Sequence, residues 1–299
     1  MTGSKKAGQT AIGIIGGSGL YDIEGLEKIR EARVRTPFGA PSDAVVVGVL
    51  GGVRVAFLSR HGRGHRINPG SINYRANIYA LKSLGVTQVI SVSAVGSMKE
   101  SIHPGAVVLP DQFIDLTKRR ASTFFDEGIV AHVGFGEPVC RSLADALEQA
   151  GRSVGASLQR GGTYVCMEGP QFSTKAESRL YRQWGVDVIG MTNMPEAKLA
   201  REAELCYATV ALVTDYDCWH ETEEAVTVEA ILATLHKNVA LAKQLLKTAV
   251  PGLKPDRSCE CRQALRNAIV TAPDRIPASA KRRLNLLIAP SVAMRKGKR

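Results

Sequence analysis

NYRANIYALKSLGVTQVISVS, residues 73–93, decides the fold class. Asn73 to Leu84 carries its apolar side chains at helical spacing, Gly85 supplies the left-handed stop that a helix C-terminus favours, and Val86 to Ser93 returns as a strand rich in β-branched residues. The same helix, glycine, strand unit recurs as Lys175 to Trp184, Gly185 and Val186 to Met191. It recurs again with Pro195 in a first helical turn, a helix to about Leu205, and an apolar strand, Tyr207 to Val213, running into Asp215. Upstream, Ala11 to Ile15 reads as a strand entering a glycine loop, and Val45–Leu50 with Arg54–Leu58 as a hairpin split by Gly51-Gly52. Strands alternating with helices predict an α/β sheet.

Downstream, Val228, Ile231, Leu232, Leu235, Val239, Ala242, Leu245 and Leu246 fall three and four apart, which predicts a long amphipathic helix over 227–249. Pro251 and Pro255 mark a linker, and Arg262–Ile269 and Ser279–Ile288 read as two short helices separated by Pro273 and Pro277. The chain therefore divides into a domain at 11–250 and a basic helical extension at 251–299. Its net charge of +11 sits mostly in that extension: Lys254 to Arg299 hold 12 basic residues against Asp256, Glu260 and Asp274, a balance of +9, and the first 253 residues carry only +2. A tail without interleaved aromatics does not stack on bases, so nucleic acid is not an expected partner. No apolar run approaches the roughly 20 residues of a membrane span, and glycines break the only N-terminal apolar segment, which places the protein in the cytoplasm and off the membrane. The six cysteines lie mostly in apolar segments and read as core thiols. Cys259-Glu260-Cys261 is the exception, a pair able to close a strained ring or bind a soft metal, but no second Cys or His cluster stands nearby in the sequence, so no metal is expected.

In open α/β sheets ligands sit at strand ends, and here those ends are polar or glycine-rich. Gly16-Gly17-Ser18-Gly19 offers backbone N–H groups and a hydroxyl to an anion, without the spacing of a dinucleotide or P-loop motif. Ser59-Arg60-His61-Gly62-Arg63-Gly64-His65-Arg66 gathers five cationic or titratable side chains that call for negative charge, and three arginines favour a small oxyanion over a metal. Ser91 to Ser97 ends another strand in hydroxyls and glycine. Phe172, on a glycine-proline turn after Glu168, could stack a planar base as readily as fill a core, and Met191 is similarly ambiguous. Thr214-Asp215-Tyr216-Asp217 places two carboxylates in alternation; on a strand they would share one face about 7 Å apart, each opposing ionisation of the other.

Together these motifs resemble the 5′-methylthioadenosine phosphorylases of the trimeric purine nucleoside phosphorylase family. The resemblance rests on Ile12–Leu20, Thr36–Gly39 with Pro41–Asp43, Arg60–Arg63, Asp111–Asp115, Glu168–Pro170 with Phe172-Ser173, Met191-Thr192, and Thr214–Trp219 with Glu223–Val226, in order across about residues 11 to 250. Beyond Pro251 the match is poor. It implies a nucleoside phosphorylase-like single domain with a central mixed β-sheet flanked by helices. It also implies a homotrimer or dimer of trimers, and phosphorolysis of 5′-methylthioadenosine with inorganic phosphate as co-substrate and no organic cofactor or metal. Residue by residue, Ser18, Arg60, His61, Ser93 and Thr192 correspond to the phosphate set. Ala94, Phe172 and Met191 correspond to nucleoside contacts, and Asp215 and Asp217 to the adenine-reading catalytic pair. The chain's Val226, Val228 and Ile231 are candidates for the apolar pocket of the thioether.

The residue types suit that chemistry on their own terms. Breaking an N-glycosidic bond builds positive charge on the sugar and negative charge on the purine, so a site needs an anion on one side and a proton donor on the other. A protonated Asp215 would donate to N7 while Asp217 accepts from the 6-amino group. A phosphorylase of inosine and guanosine would be expected to carry an amide at the base-reading position, and a hydrolase would have little use for the Arg60-His61 loop. These are the rival readings.

Overall fold

The computed structural model describes residues 11–220, 228–254 and 259–289, with Ser18, Tyr21, residues 228–233 and Leu235 described by their backbone alone. Eleven strands among them join one mixed sheet: β1 (Ala11–Gly16), β2 (Leu26–Ala32), β3 (Val45–Leu50), β4 (Val53–Ser59), β5 (Val86–Ser97), β6 (Val107–Leu109), β7 (Gln112–Asp115), β8 (Leu158–Arg160), β9 (Thr163–Cys166), β10 (Val188–Gly190) and β11 (Cys206–Asp215). The helices are α1 (Tyr74–Ser83), α2 (Arg141–Ser153), α3 (Lys175–Gln183), α4 (Glu196–Glu202), α5 (Val228–Ala249) and α6 (Ala278–Arg283). Every residue of β1 is buried. Successive side chains of a strand point to opposite faces, and β1 splits accordingly: Ala11 and Ile15 enter one apolar core with Leu81 and Leu199, and Ile12 and Ile14 the other with Leu143 and Leu245.

Strand β5 organises the site. Its first half pairs in parallel with β1 as far as Ser91, its other edge pairs in parallel with β11 from Gln88 to Gly96, and β10 joins the first edge, antiparallel, only at Gly96 and Ser97. Between Ser91 and Gly96 that edge has no strand beside it among the described residues. The sheet parts there.

The 73–93 unit forms as read, with Asn73 capping α1 by accepting the Ala76 N–H at 3.1 Å. The strand differs in length: β11 stays paired to it through Leu212–Ala94 and Val213–Val95, so the stretch to Ser97 that reads as a strand end is still strand. The expected helix at 262–269 does not form. A 3-10 turn at Glu260–Gln263 is followed by turns, because tertiary partners capture the groups a helix would use. The Leu265 N–H goes to Glu204 Oε1 at 3.0 Å, and the Ala268 carbonyl accepts the His132 N–H at 2.9 Å. The second short helix is shorter than expected, with α6 followed by a separate helical turn at 285–289.

The extension buries Leu265, Ile276, Leu284 and Leu287 in one apolar core with Phe124, Phe125 and Ile129, and Arg283 pairs with Asp126 at 2.6 Å and with Glu127. Part of its basic charge is thus matched inside the molecule. No helix among the described residues is long and apolar enough to cross a membrane.

Candidate active site

The gap beside β5 opens into a cavity of about 430 Å³. Ser93 and Ala94 lie on the exposed edge of β5, and Arg60 and His61 follow β4. Met191 and Thr192 follow β10, Asp215 and Asp217 stand at the end of β11, and Phe172 lies at the mouth, 57% exposed. Nine of the residues read as site candidates therefore line one space. Val226 lies outside the described residues, as do the side chains of Ser18, Val228 and Ile231. The Ser18 backbone opens a 3-10 turn beside Gly17, which also lines the cavity, and Val228 begins α5.

The electrostatics of the basic loop differ from expectation. Arg60 is only 2% exposed and its guanidinium is clasped by Glu196, Nε to Oε2 at 2.9 Å and Nη2 to Oε1 at 3.0 Å, with further bonds to the Ser91 hydroxyl at 2.6 Å and the Val92 carbonyl at 3.1 Å. Tyr207 Oη donates to Glu196 Oε1 at 2.9 Å and completes the pair. Arg63 turns away to Asp43 and Glu31 at 3.0 and 2.6 Å. Burial, then the adjacent Arg60, hold His61 down at about 4, so it is neutral at physiological pH. The loop was expected to await external negative charge; most of that charge is met internally, because Asp43, Glu31 and Glu196 are distant in sequence and near in space.

His61 Nδ1 lies 2.8 Å from the Ile67 carbonyl, which only accepts, so Nδ1 carries the ring proton and Nε2 keeps a lone pair. Its ring stacks on His65, centroids 4.2 Å apart. Ser93 Oγ and Thr192 Oγ1, both buried and both on cavity residues, have no hydrogen-bond partner among the described residues. A buried hydroxyl without a partner costs free energy, so two of them in one cavity mark a place for an acceptor.

On the opposite side, Asp215 and Asp217 are brought together by a turn, not by strand alternation. The strand ends at Asp215, and Asp217 has φ +54°, a left-handed conformation that Asp tolerates better than most residues. The Asp217 N–H therefore folds back onto Asp215 Oδ1 at 2.8 Å. Gly96 makes room: a Cβ there would lie 2.9 Å from that same carboxylate oxygen. Thr214 Oγ1 sits 2.6 Å from Asp215 Oδ2 and 3.2 Å from the Val95 carbonyl. With one hydroxyl proton it can donate to an ionised Asp215, or donate to the carbonyl while accepting from a protonated Asp215. Burial pushes the Asp217 carboxyl above its ordinary range.

Two residues that sequence reading passed over shape the site. Arg120, from the segment after β7, donates to the carbonyls of Glu168, Met191 and Met194 at 2.6, 2.7 and 2.6 Å and to the Glu168 carboxylate at 3.3 Å, tying the turn that carries Phe172 to the one that carries Thr192. Glu196 anchors Arg60. A lone Arg or Glu in a mixed polar segment carries no signal of such a role. An adjoining cavity shares Gly17, His65, Ser93 and Ala94 and is closed by Leu20, Leu212, His236 and Val239, placing the described part of α5 against an apolar recess.

Residues 11–251 match the phosphorylase superfamily. The chain is 59% identical over 285 residues to the S-methyl-5′-thioadenosine phosphorylase of Geobacter sulfurreducens, covering 95% of this chain and all of that one. It is 60% identical over 280 residues to that of Koribacter versatilis, covering 94% and 96%. Such coverage extends well past residue 251, so the extension, expected to match poorly, is shared with these relatives. Among solved structures, a methylthioadenosine phosphorylase from an antarctic soil metagenomic library aligns with TM-score 0.88 and 52% identity, over 94% of this chain and 99% of that one. Methylthioadenosine phosphorylase from Schistosoma mansoni in complex with adenine aligns with TM-score 0.80 and 38% identity, over 86% and 97%.

Proposed function

The chain belongs to the phosphorylase superfamily, and on that premise we propose that its cavity splits 5′-methylthioadenosine with inorganic phosphate to give adenine and 5-methylthioribose 1-phosphate. The observation that carries this reading is the polarity of one cavity: unpartnered Ser93 and Thr192 hydroxyls and a neutral His61 on one side, and the Asp215–Asp217 pair on the other.

Phosphate occupies the first side. Ser93 and Thr192 donate to its oxygens, Ser18 joins that set by its place in the family pattern, Arg60 supplies fixed positive charge, and the neutral His61 Nε2 accepts a hydrogen bond from the hydroxyl of hydrogen phosphate, leaving a deprotonated oxygen to attack. The attacking oxygen joins C1′ as the C1′–N9 bond breaks and its electrons pass to the purine. The bound anion opposes the positive charge that develops on the sugar. Asp215 gives its proton to N7 and returns to the Thr214 hydroxyl as an acceptor. Asp217, ionised, accepts a hydrogen bond from the 6-amino group, which a 6-oxo purine does not offer. Phe172 covers the base, Ala94 and Met191 flank the ribose, and the apolar recess of Leu20 and Val239 takes the thioether, for which the sequence also offers Val226, Val228 and Ile231. The chemistry uses no organic cofactor or catalytic metal.

The proposal includes assembly as a homotrimer in the cytoplasm, with a neighbour closing the pocket over the exposed Phe172. The test is adenine release from 5′-methylthioadenosine with and without phosphate. Activity that requires phosphate, and an Asp215→Asn variant reduced about 10²- to 10⁴-fold in kcat, are expected; equal rates in phosphate-free buffer would make the enzyme a hydrolase instead.

A further inference from the structure

Four cysteines distant in sequence meet at the far end of β11 from the cavity. Cys206 is its first residue, Cys140 precedes α2 and donates its N–H to the Tyr207 carbonyl at 2.8 Å, and Cys259 and Cys261 flank Glu260 at the start of the extension. Their four Sγ atoms lie within 4.8 Å of one another, and Cys259 Sγ is 3.7 Å from both Cys140 Sγ and Cys206 Sγ. A tetrahedron with metal–sulfur bonds of about 2.3 Å has sulfur–sulfur edges of about 3.8 Å, whereas a disulfide requires about 2.05 Å. Two of the six edges match that tetrahedron at 3.7 Å and the other four lie within 4.8 Å, so a small contraction closes the set around one ion.

The surroundings suit such a group. Four thiolates around a dication leave two negative charges, and the first turn of α2, which has no acidic residue, starts directly after Cys140. The Ser142 hydroxyl lies 3.4 Å from Cys140 Sγ, an outer contact that can orient the ligand. Three of the four cysteines are buried, which limits solvent access. The Leu265 N–H bond to Glu204 brings the extension back over the loop that leads into Cys206.

We propose that Cys140, Cys206, Cys259 and Cys261 bind one zinc ion in a closed tetrathiolate site that fastens the C-terminal extension to the phosphorylase core. Soft thiolates select zinc over the oxygen-seeking cations, and a four-protein-ligand set with no open position is structural, not catalytic. Its distance from the chemistry agrees: Cys206 and Asp215 stand nine residues apart on one strand, about 30 Å at about 3.3 Å per residue. The pair Cys259-x-Cys261 looks incomplete in sequence because its partners come from the start of a helix and the start of a strand.

The test uses the full chain, produced with zinc supplementation and purified under reductant without chelator. Elemental analysis is expected to find one zinc per chain, and cobalt exchanged into the site should give the intense sulfur-to-cobalt charge-transfer and tetrahedral d–d bands of four thiolates. Combined Cys259→Ser and Cys261→Ser should lower metal content to under about a tenth of that, and Cys166→Ser should leave it unchanged. If the double variant fails to fold, the cobalt spectrum of the unaltered chain decides alone. A metal-free chain that gives no thiolate–cobalt spectrum would overturn the proposal. So would an intact mass, measured without reductant, lower by two hydrogens per cysteine pair, since oxidised sulfurs cannot ligate.

Discussion

Replacing Asp217 by Asn separates reading of the base from proton donation. Asn is isosteric and tolerates the left-handed φ of +54° at this position, so the turn that returns the 217 N–H to Asp215 should persist. What is lost is an ionised acceptor for the 6-amino group. A hydrogen bond to a charged group contributes about 1.5–3 kcal/mol, which at about 1.36 kcal/mol per decade predicts a fall of about 10- to 160-fold in kcat/KM for 5′-methylthioadenosine. The new amide can donate to a 6-oxo group, so 5′-methylthioinosine should be used relatively better. Burial disfavours the ionised side chain, so the variant should melt no lower than the parent at neutral pH. In the parent, lowering pH through the raised Asp217 value should erode preference for the amino purine, and the variant should lack that erosion. Initial rates on both nucleosides at saturating phosphate, across pH, provide the measurement. A folded variant with unchanged selectivity would refute the role given to Asp217.

Two further expectations concern buried acids. Burial raises Glu202 to about 7 despite bonds from the Phe124 N–H and the Thr123 hydroxyl, both at 2.7 Å. Its folded value exceeds the unfolded 4.5, so its contribution to stability is most favourable below about 4.5 and is lost as pH rises through about 7, a difference of about 3 kcal/mol. Glu202→Gln should therefore raise the melting temperature at pH 8 and not at pH 4; equal effects at both would show that its charge is not the cause. Glu196→Gln leaves Arg60 buried without its counter-charge and should cost about 3–5 kcal/mol, seen as a lower urea midpoint together with a raised KM for phosphate. An unchanged midpoint would mean that other groups carry the Arg60 charge.

The alternation of strand and helix was legible because period and punctuation are local: Gly85 and Gly185 end helices where a side chain would be strained, and continuous apolar runs such as 207–213 suit strands covered on both faces. The motifs at strand ends pointed to one site for the same reason, since open α/β sheets collect ligands there. Short strands such as β8 and β9 were not legible, being three and four residues long with little pattern to show.

Residue types and their order thus determined the fold class, the candidate cavity residues and the family. Tertiary structure alone decided the charges and the partners. Glu196 neutralises Arg60, Ile67 fixes the proton of His61, a left-handed residue sets Asp217 against Asp215, and Cys140 and Cys206 meet the Cys259-x-Cys261 pair. Electrostatic and coordinative interactions act through distances of a few ångströms, and those distances come from folding segments far apart in the chain onto one another.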